Sequence, residues 1–254
     1  MKRRIFAIFV LVMALCSSLH AQQLSVKRHS FQGKFLKSSI TVSIWFEETE
    51  DGDLSGEIVY TSSKHKTPIR IFGTILEDSG KSTYHLFEYQ ANGKESGYFD
   101  IEKSQAANTY TGTWTADRYS EDPRRTYKMQ LSPAPFPEGK GGTFTYSADP
   151  AGKYTYGFTH YAKGDLGGTV EIGLLRGNPE KMHVEISKYD PNIAEYDGHL
   201  MYNKGCMEGY LEDCDYKFRV QVFEDFVLVK TISGDGGWCF GAWTTLDGFY
   251  LKRK

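Results

Sequence analysis

Residues 40–60, ITVSIWFEETEDGDLSGEIVY, read as two strands folded back on each other. Ile40, Val42, Ile44 and Phe46 alternate with Thr41, Ser43 and Trp45, and Leu54, Gly56, Ile58 and Tyr60 alternate with Ser55, Glu57 and Val59. A period of two over such lengths belongs to half-buried strands rather than to a helix. The first set in each strand is therefore assigned to a core and the second to an outer side. Between them, Glu47 to Asp53 invites comparison with a calcium loop. Counting Gly52 as the sixth loop residue puts Thr49 third and Ile58 twelfth, where an oxygen ligand is needed. The stretch is expected to be a hairpin turn with solvated charge.

The same pattern continues outward from this hairpin. Strands are expected near 31–37, 68–76, 83–89, 97–102, 109–116 and 126–131, making about eight, the number at which a closed barrel is just filled by side chains or holds one small ligand. A second run shows Tyr154, Tyr156 and Phe158 on one face, then Val170, Ile172 and Leu174, then Met182, Val184 and Ile186, then Tyr216, Phe218, Val220 and Val222. A hairpin near Glu224 and Asp225 returns through Phe226, Leu228 and Ile232. Each run closes on a Gly-x-Trp-Thr phrase, Gly112 to Thr115 and Gly241 to Thr244. The fold class expected is all-β, two tandem antiparallel barrel or meander domains of about eight strands each. The first spans 22–132 and the second 143–254. Residues 133–142, PAPFPEGKGG, are expected to be the linker, since proline cannot join a ladder and glycine punctuates.

Lys2, Arg3 and Arg4 precede an apolar run from Ile5 to Leu15, and Ala21 follows small and polar residues, the pattern of a signal peptide over 1–21 with the mature chain starting at Gln22. Lipidation at Cys16 is disfavoured by the bulk of Leu15. The chain is expected to be secreted, periplasmic or extracellular, with no transmembrane segment. Without the leader, 27 basic residues stand against 32 acidic ones, a net charge of about −5 that argues against nucleic acid as a partner.

Cys206, Cys214 and Cys239 remain in the mature chain. Cys214 opens the strand running to Phe223 and Cys239 follows the strand returning from Phe226, so both come to the same end of a hairpin. A Cys214 to Cys239 disulfide is preferred, with Cys206 to Cys214 as the alternative.

Gly112-Thr113-Trp114-Thr115 is similar to the Gly-x-Trp strand phrase of the avidin and lipocalin families, which implies a small up-and-down barrel. In those families the phrase opens the barrel, whereas here it falls in the next-to-last strand, and no ligand residues carry over. The ending from Trp238 to Tyr250 resembles the closing strands of secreted bacterial β domains, some of them lysozyme-inhibitor-like.

Three features are candidates for function. Pairing about the turn at residues 79 and 80 puts Phe72 opposite Phe87 and Arg70 opposite Tyr89, on the outer side with Trp45, a row of rings that needs a cover or a partner. The same register turns Glu88 inward beside Ile71, as a ligand handle or as a group in water at the barrel mouth. Pairing about Pro191 puts His183 opposite His199 and Glu185 opposite Asp197, a set able to hold a cation. No nucleophile elbow, zinc-protease or glycine-rich phosphate motif is present. The function expected is therefore binding without catalysis, to a protein or glycan of a bacterial envelope and with no cofactor. The alternatives are an inhibitor of a secreted hydrolase and an enzyme using dispersed carboxylates.

Overall fold

The computed structural model describes residues 23–64, 66–78, 80–103, 109–116, 125–160, 164–190 and 192–253. The leader, its cleavage after Ala21 and the lipidation question at Cys16 lie outside the described residues.

The first sheet contains β1 (Val26–Phe35), β2 (Thr41–Thr49), β3 (Asp53–Tyr60), β4 (Ile69–Asp78), β5 (Lys81–Tyr89), β6 (Glu95–Lys103), β7 (Tyr110–Thr115) and β8 (Thr126–Pro133). They pair in chain order and β1 closes on β8, an antiparallel up-and-down barrel. The β2–β3 register sets Val42 opposite Tyr60, Ile44 opposite Ile58 and Phe46 opposite Gly56, so the inward faces are the ones the alternation assigns. Phe31, Ile44, Phe46, Leu54, Ile58, Ile71, Leu86, Phe99, Ile101, Met129 and Leu131 fill the middle of the barrel. Ile40 is the exception, because the strand starts at Thr41 and Ile40 stays half exposed in the preceding turn.

β1 begins five residues before the expected start. The extension is polar, and the partner strand explains it: Lys27 and Arg28 lie opposite Glu48 and Glu47, with ion pairs of 2.8 and 3.3 Å. The hairpin turn lies where expected, with Glu50 and Asp51 exposed at its tip, but the flanking Glu47, Glu48 and Asp53 are buried rather than solvated. Glu47 keeps its charge acceptable by accepting hydrogen bonds from the backbone N–H of Gly142 at 3.0 Å and Thr143 at 2.8 Å, and from the Thr143 hydroxyl at 2.9 Å.

Those bonds tie the end of the expected linker, residues 133–142, to the first barrel. Phe136 packs edge-on against Trp45 at 5.4 Å, Lys140 pairs with Glu57 at 2.8 Å, and the segment is strapped along the first barrel.

The second sheet contains β9 (Gly152–His160), β10 (Gly164–Leu175), β11 (Asn178–Tyr189), β12 (Ile193–Met201), β13 (Cys206–Leu211), β14 (Tyr216–Val222), β15 (Phe226–Ser233) and β16 (Gly248–Lys252). Its order is β12-β11-β10-β9-β16-β15-β14-β13, an eight-stranded antiparallel sheet that nearly closes. Tyr154, Val170, Val184, Tyr216, Phe218, Val220, Val227, Val229 and Tyr250 are fully buried in its core. β15 departs from the expected facing. Val227 lies opposite Tyr250 and Val229 opposite Val220, whereas Phe226 and Leu228 take the other side. Both sides are buried because the second one meets the first barrel. Leu174 and Ile232 are exposed, the former beside a register break at the end of β10.

The two Gly-x-Trp-Thr phrases are not equivalent. The first lies in β7, while the second follows a one-turn helix, Gly236–Phe240, whose Gly237 N–H is capped by Asp235 at 2.8 Å. Gly241 and Trp243 take φ values of 95° and 66°, far from the extended backbone of the strand that carries the first phrase. The Cys214–Cys239 disulfide, with Cα atoms 5.5 Å apart, pins this loop, and Cys206 stays free.

Phe72 is wholly buried, with ring centroids 4.8 Å from Phe226, 5.2 Å from Phe249 and 5.6 Å from Tyr89. Asp53 pairs with Lys230 at 3.0 Å and Arg70 with Asp225 at 3.2 Å across the same contact. The Gly157 N–H donates to the Gly93 carbonyl at 3.0 Å. A side chain at Gly93 would sit 2.8 Å from Thr155, so the two backbones can approach only there because Gly93 has none.

Phe72→Ala is expected to destabilise the whole chain by about 3–5 kcal/mol, lowering Tm by roughly 10 °C, as truncation of a buried ring does. Trp238→Ala, at an exposed position, should leave Tm within about 1 °C. Thermal unfolding followed by circular dichroism checks both, and equal small shifts would remove Phe72 from the interface.

Candidate functional site

The packed layers of the first barrel stop short of one end. There the inward positions are Phe35 on β1, Tyr60 on β3, Glu88 on β5, Trp114 on β7 and Tyr127 on β8. Phe35, Tyr60, Trp114 and Tyr127, with Ser38 and Ile40 from the β1–β2 turn, line a cavity of about 360 Å³ open to solvent. Phe35 stacks on Tyr60 at 6.4 Å and meets Tyr127 edge-on at 6.5 Å, and Trp114 lies 5.8 Å from Tyr127. The indole has room because Gly97 lies beneath it; a side chain there would come within 2.8 Å of the ring.

Glu88 stands behind this wall. One carboxyl oxygen accepts from the Tyr60 hydroxyl at 3.2 Å and from the Trp114 indole N–H at 3.0 Å, which fixes both rings. Burial pushes the Glu88 carboxyl above the ordinary carboxylate range, outweighing the opposing pull of the Trp114 and Tyr60 hydrogen bonds. The Tyr60 hydroxyl is held well above its usual range by the same burial and by the nearby carboxylate. Glu88 does point inward next to Ile71, as the alternation implies, but it sits under the rings and not in water.

A polar network closes the other end. Glu48 bonds His29 at 2.7 Å, His29 meets the Tyr84 hydroxyl at 3.4 Å, and Lys27 covers the second Glu48 oxygen at 2.8 Å. The Tyr84 hydroxyl is pushed up to about 12, chiefly by burial. Sequence reading missed this group, although His29 shares the parity of Phe31, and Glu48 that of Phe46. The signal was there, and the polar turn obscured it.

The outer aromatic row, expected to need a cover or a partner, finds its cover within the chain, so the binding surface assigned to it is corrected to an internal contact. Phe72 and Tyr89 are buried against the second sheet, Arg70 reaches over Phe72 to Asp225, and Trp45 is covered by Phe136. Phe87 is half-buried beside His85, with centroids 4.6 Å apart. The expected register is found in both places: Phe72 faces Phe87 and Arg70 faces Tyr89, while His183 faces His199 and Glu185 faces Asp197. Sequence reading gave no separate weight to Trp238 and Trp243, which are 85% and 92% exposed on the disulfide-pinned loop.

No family model matches the chain, and no curated protein matches it. A solved structure of a protein of unknown function from the DUF3598 family of Nostoc punctiforme is similar over 83% of this chain and 80% of that one, at 9% identity and a TM-score of 0.27. At that level the likeness carries no argument about a site.

The raised Glu88 value fixes the sign of a pH effect. The folded chain holds this proton more tightly than the unfolded chain does, so the stability tied to it is complete below the ordinary value of 4.5 and fades as pH rises through the folded value. Glu88→Gln removes the effect. Between about pH 4 and about pH 8 the Tm of the parent should therefore fall relative to that of Glu88→Gln, measured by scanning calorimetry. A constant gap between the two would mean that Glu88 is not desolvated.

Proposed function

We propose that this chain is an exported, non-enzymatic binding protein of a bacterial envelope, and that it takes a small, largely apolar molecule carrying a flat ring into the mouth of the first barrel. The observation that carries the reading is the cavity of about 360 Å³ walled by Phe35, Tyr60, Trp114 and Tyr127. Its size falls within the range of small-molecule sites, about 300–1,000 Å³, and its lining of rings with a few hydroxyls, those of Ser38, Tyr60 and Tyr127, is their usual composition. Glu88 supports the reading by holding two of the rings in place before any ligand arrives, which lowers the ordering cost of binding. The apolar rim of Leu36, Ile40 and Tyr127, each more than two-fifths exposed, supports it too, since such patches on a folded surface mark contact sites. An eight-stranded up-and-down barrel with one ligand at its mouth is the arrangement of lipocalin-like and avidin-like proteins. The leader pattern of the first 21 residues and the Cys214–Cys239 disulfide support export, because disulfides persist in oxidising compartments.

One observation favours a second reading, inhibition of a secreted hydrolase. The loop after β15 is pinned by a disulfide and offers Trp238 and Trp243 to solvent, a rigid presentation suited to a foreign active site. Adding the chain to a secreted muramidase tests it: inhibition abolished by Trp243→Ala would support it, and full muramidase activity at excess chain would remove it.

The first reading is tested with N-phenyl-1-naphthylamine, whose fluorescence rises in apolar surroundings. Saturable one-to-one binding is expected, weakened at least about tenfold by Trp114→Ala, which removes a wall, and by Ile40→Lys, which puts a charge at the entrance. Trp243→Ala should bind as the parent does. Binding indifferent to both mouth substitutions, or none at all, would overturn the proposal.

A further inference from the structure

The second sheet carries on its outer side a set of donors that the barrel mouth does not involve. Along β11, His183, Glu185, Ser187 and Tyr189 point away from the core, and Asp197 and His199 do so along β12. The register brings these into two rows that cross three strands. Glu171 of β10, Glu185 and Asp197 form one row, and Gly173, His183 and His199 form the next. Three carboxylates opposed across neighbouring strands repel, and Lys153, paired with Glu171, offsets them only at one end. Two imidazoles flank the other two carboxylates. His183 Nε2 lies 2.7 Å from Asp197 Oδ1, and His183 Nδ1 lies 3.6 Å from Glu185 Oε1. The His183 and His199 rings are 5.2 Å apart between centroids. A side chain built at Gly173 would meet no atom within 4 Å, so space is open beside His183.

From this arrangement we infer that the outer face of β11 and β12 binds one zinc-class divalent cation through His183, His199, Asp197 and Glu185. Donor atoms on His183, Glu185 and Asp197 already lie within 4.8 Å of one another. A tetrahedral ion with bonds of about 2.0–2.2 Å needs its donors roughly 3.4 Å apart, a difference that side-chain rotation at an exposed site can close. Two nitrogens with two carboxylate oxygens suit zinc, copper(II) or nickel(II), and do not suit calcium or magnesium, which take oxygen only. The Asp197 hydrogen bond to His183 gives way when the ring nitrogen takes the ion, and the carboxylate then contributes its own oxygen. Sheet strands supply the backbone frame, so capture of the ion needs to order only four side chains.

Titration of the full mature chain with zinc chloride in a calorimeter tests the inference, beside His183→Ala, His199→Ala and the pair of substitutions together. One ion per chain is expected, with Kd in the low micromolar range or below, weakened at least tenfold by each single substitution and abolished by both. Zinc should raise the Tm of the parent and not that of the double variant, whose metal-free Tm should equal the parent's because these side chains are exposed. Calcium chloride should give no heat above dilution. Zinc binding that survives the double substitution would place the ion elsewhere, and the absence of one-to-one binding by the parent would overturn the inference.

Discussion

A barrel strand normally buries one side and gives the other to water, and the contact at Phe72 breaks that division. Its ring points out of the first barrel and is nonetheless fully buried, set between Phe226 and Phe249 of the second sheet. Burying one such ring contributes about 1.5–3 kcal/mol, and the ion pair of Asp53 with Lys230 fixes how the two surfaces meet. The rest follows from that docking. β15 is apolar on both sides because it lines one core with Val227 and Val229 and meets the other barrel with Phe226 and Leu228. Glu47 can be buried because the strap at Gly142 and Thr143 delivers two backbone N–H groups to it.

Covering one side of the first barrel leaves its ends as the places where the proposed recognition would occur. The middle is packed, so neither end opens into a through channel. At one end His29, Glu48 and Tyr84 bond one another and leave a polar plug. At the other, Glu88 spends its hydrogen-bonding capacity on Tyr60 and Trp114, and the ring faces beyond them stay bare. A desolvated carboxyl is costly, its two hydrogen bonds offset part of that cost, and the ring geometry they fix is what the proposed binding in the mouth would use.

Much of this was legible in the sequence, and what was not has a physical cause. Alternation fixes parity and an assumed turn fixes register, so the pairs Phe72 with Phe87 and His183 with His199 could be written from residues alone. The hairpin closing at Asp225 brought Cys214 and Cys239 together for the same reason. Parity says which side a residue takes and not what covers that side. The outer rings therefore left a cover and a partner both open when they are a contact between two sheets, and the depth of Glu88 could not be told from that of Ile40. Repetition of Gly-x-Trp-Thr misled, because the backbone at Gly241 and Trp243 depends on positive φ and a disulfide, neither of which the phrase encodes. Burial of Glu47 also lay beyond local reading, since the backbone N–H groups that satisfy it are about 95 residues away in the chain.

The four tryptophans sample three distinct surroundings: Trp45 under the strap, Trp114 at the barrel mouth, and Trp238 and Trp243 in solvent. Their indole N–H signals in a nitrogen-15 correlation spectrum, assigned by single Trp→Phe substitutions, report each place separately. Titration with small ring-bearing apolar compounds should move the Trp114 signal in a saturable way, since its N–H bonds Glu88 beside the cavity, and leave the Trp238 and Trp243 signals where they were. Saturable movement of Trp238 or Trp243 with Trp114 unmoved would contradict a binding site in the barrel mouth.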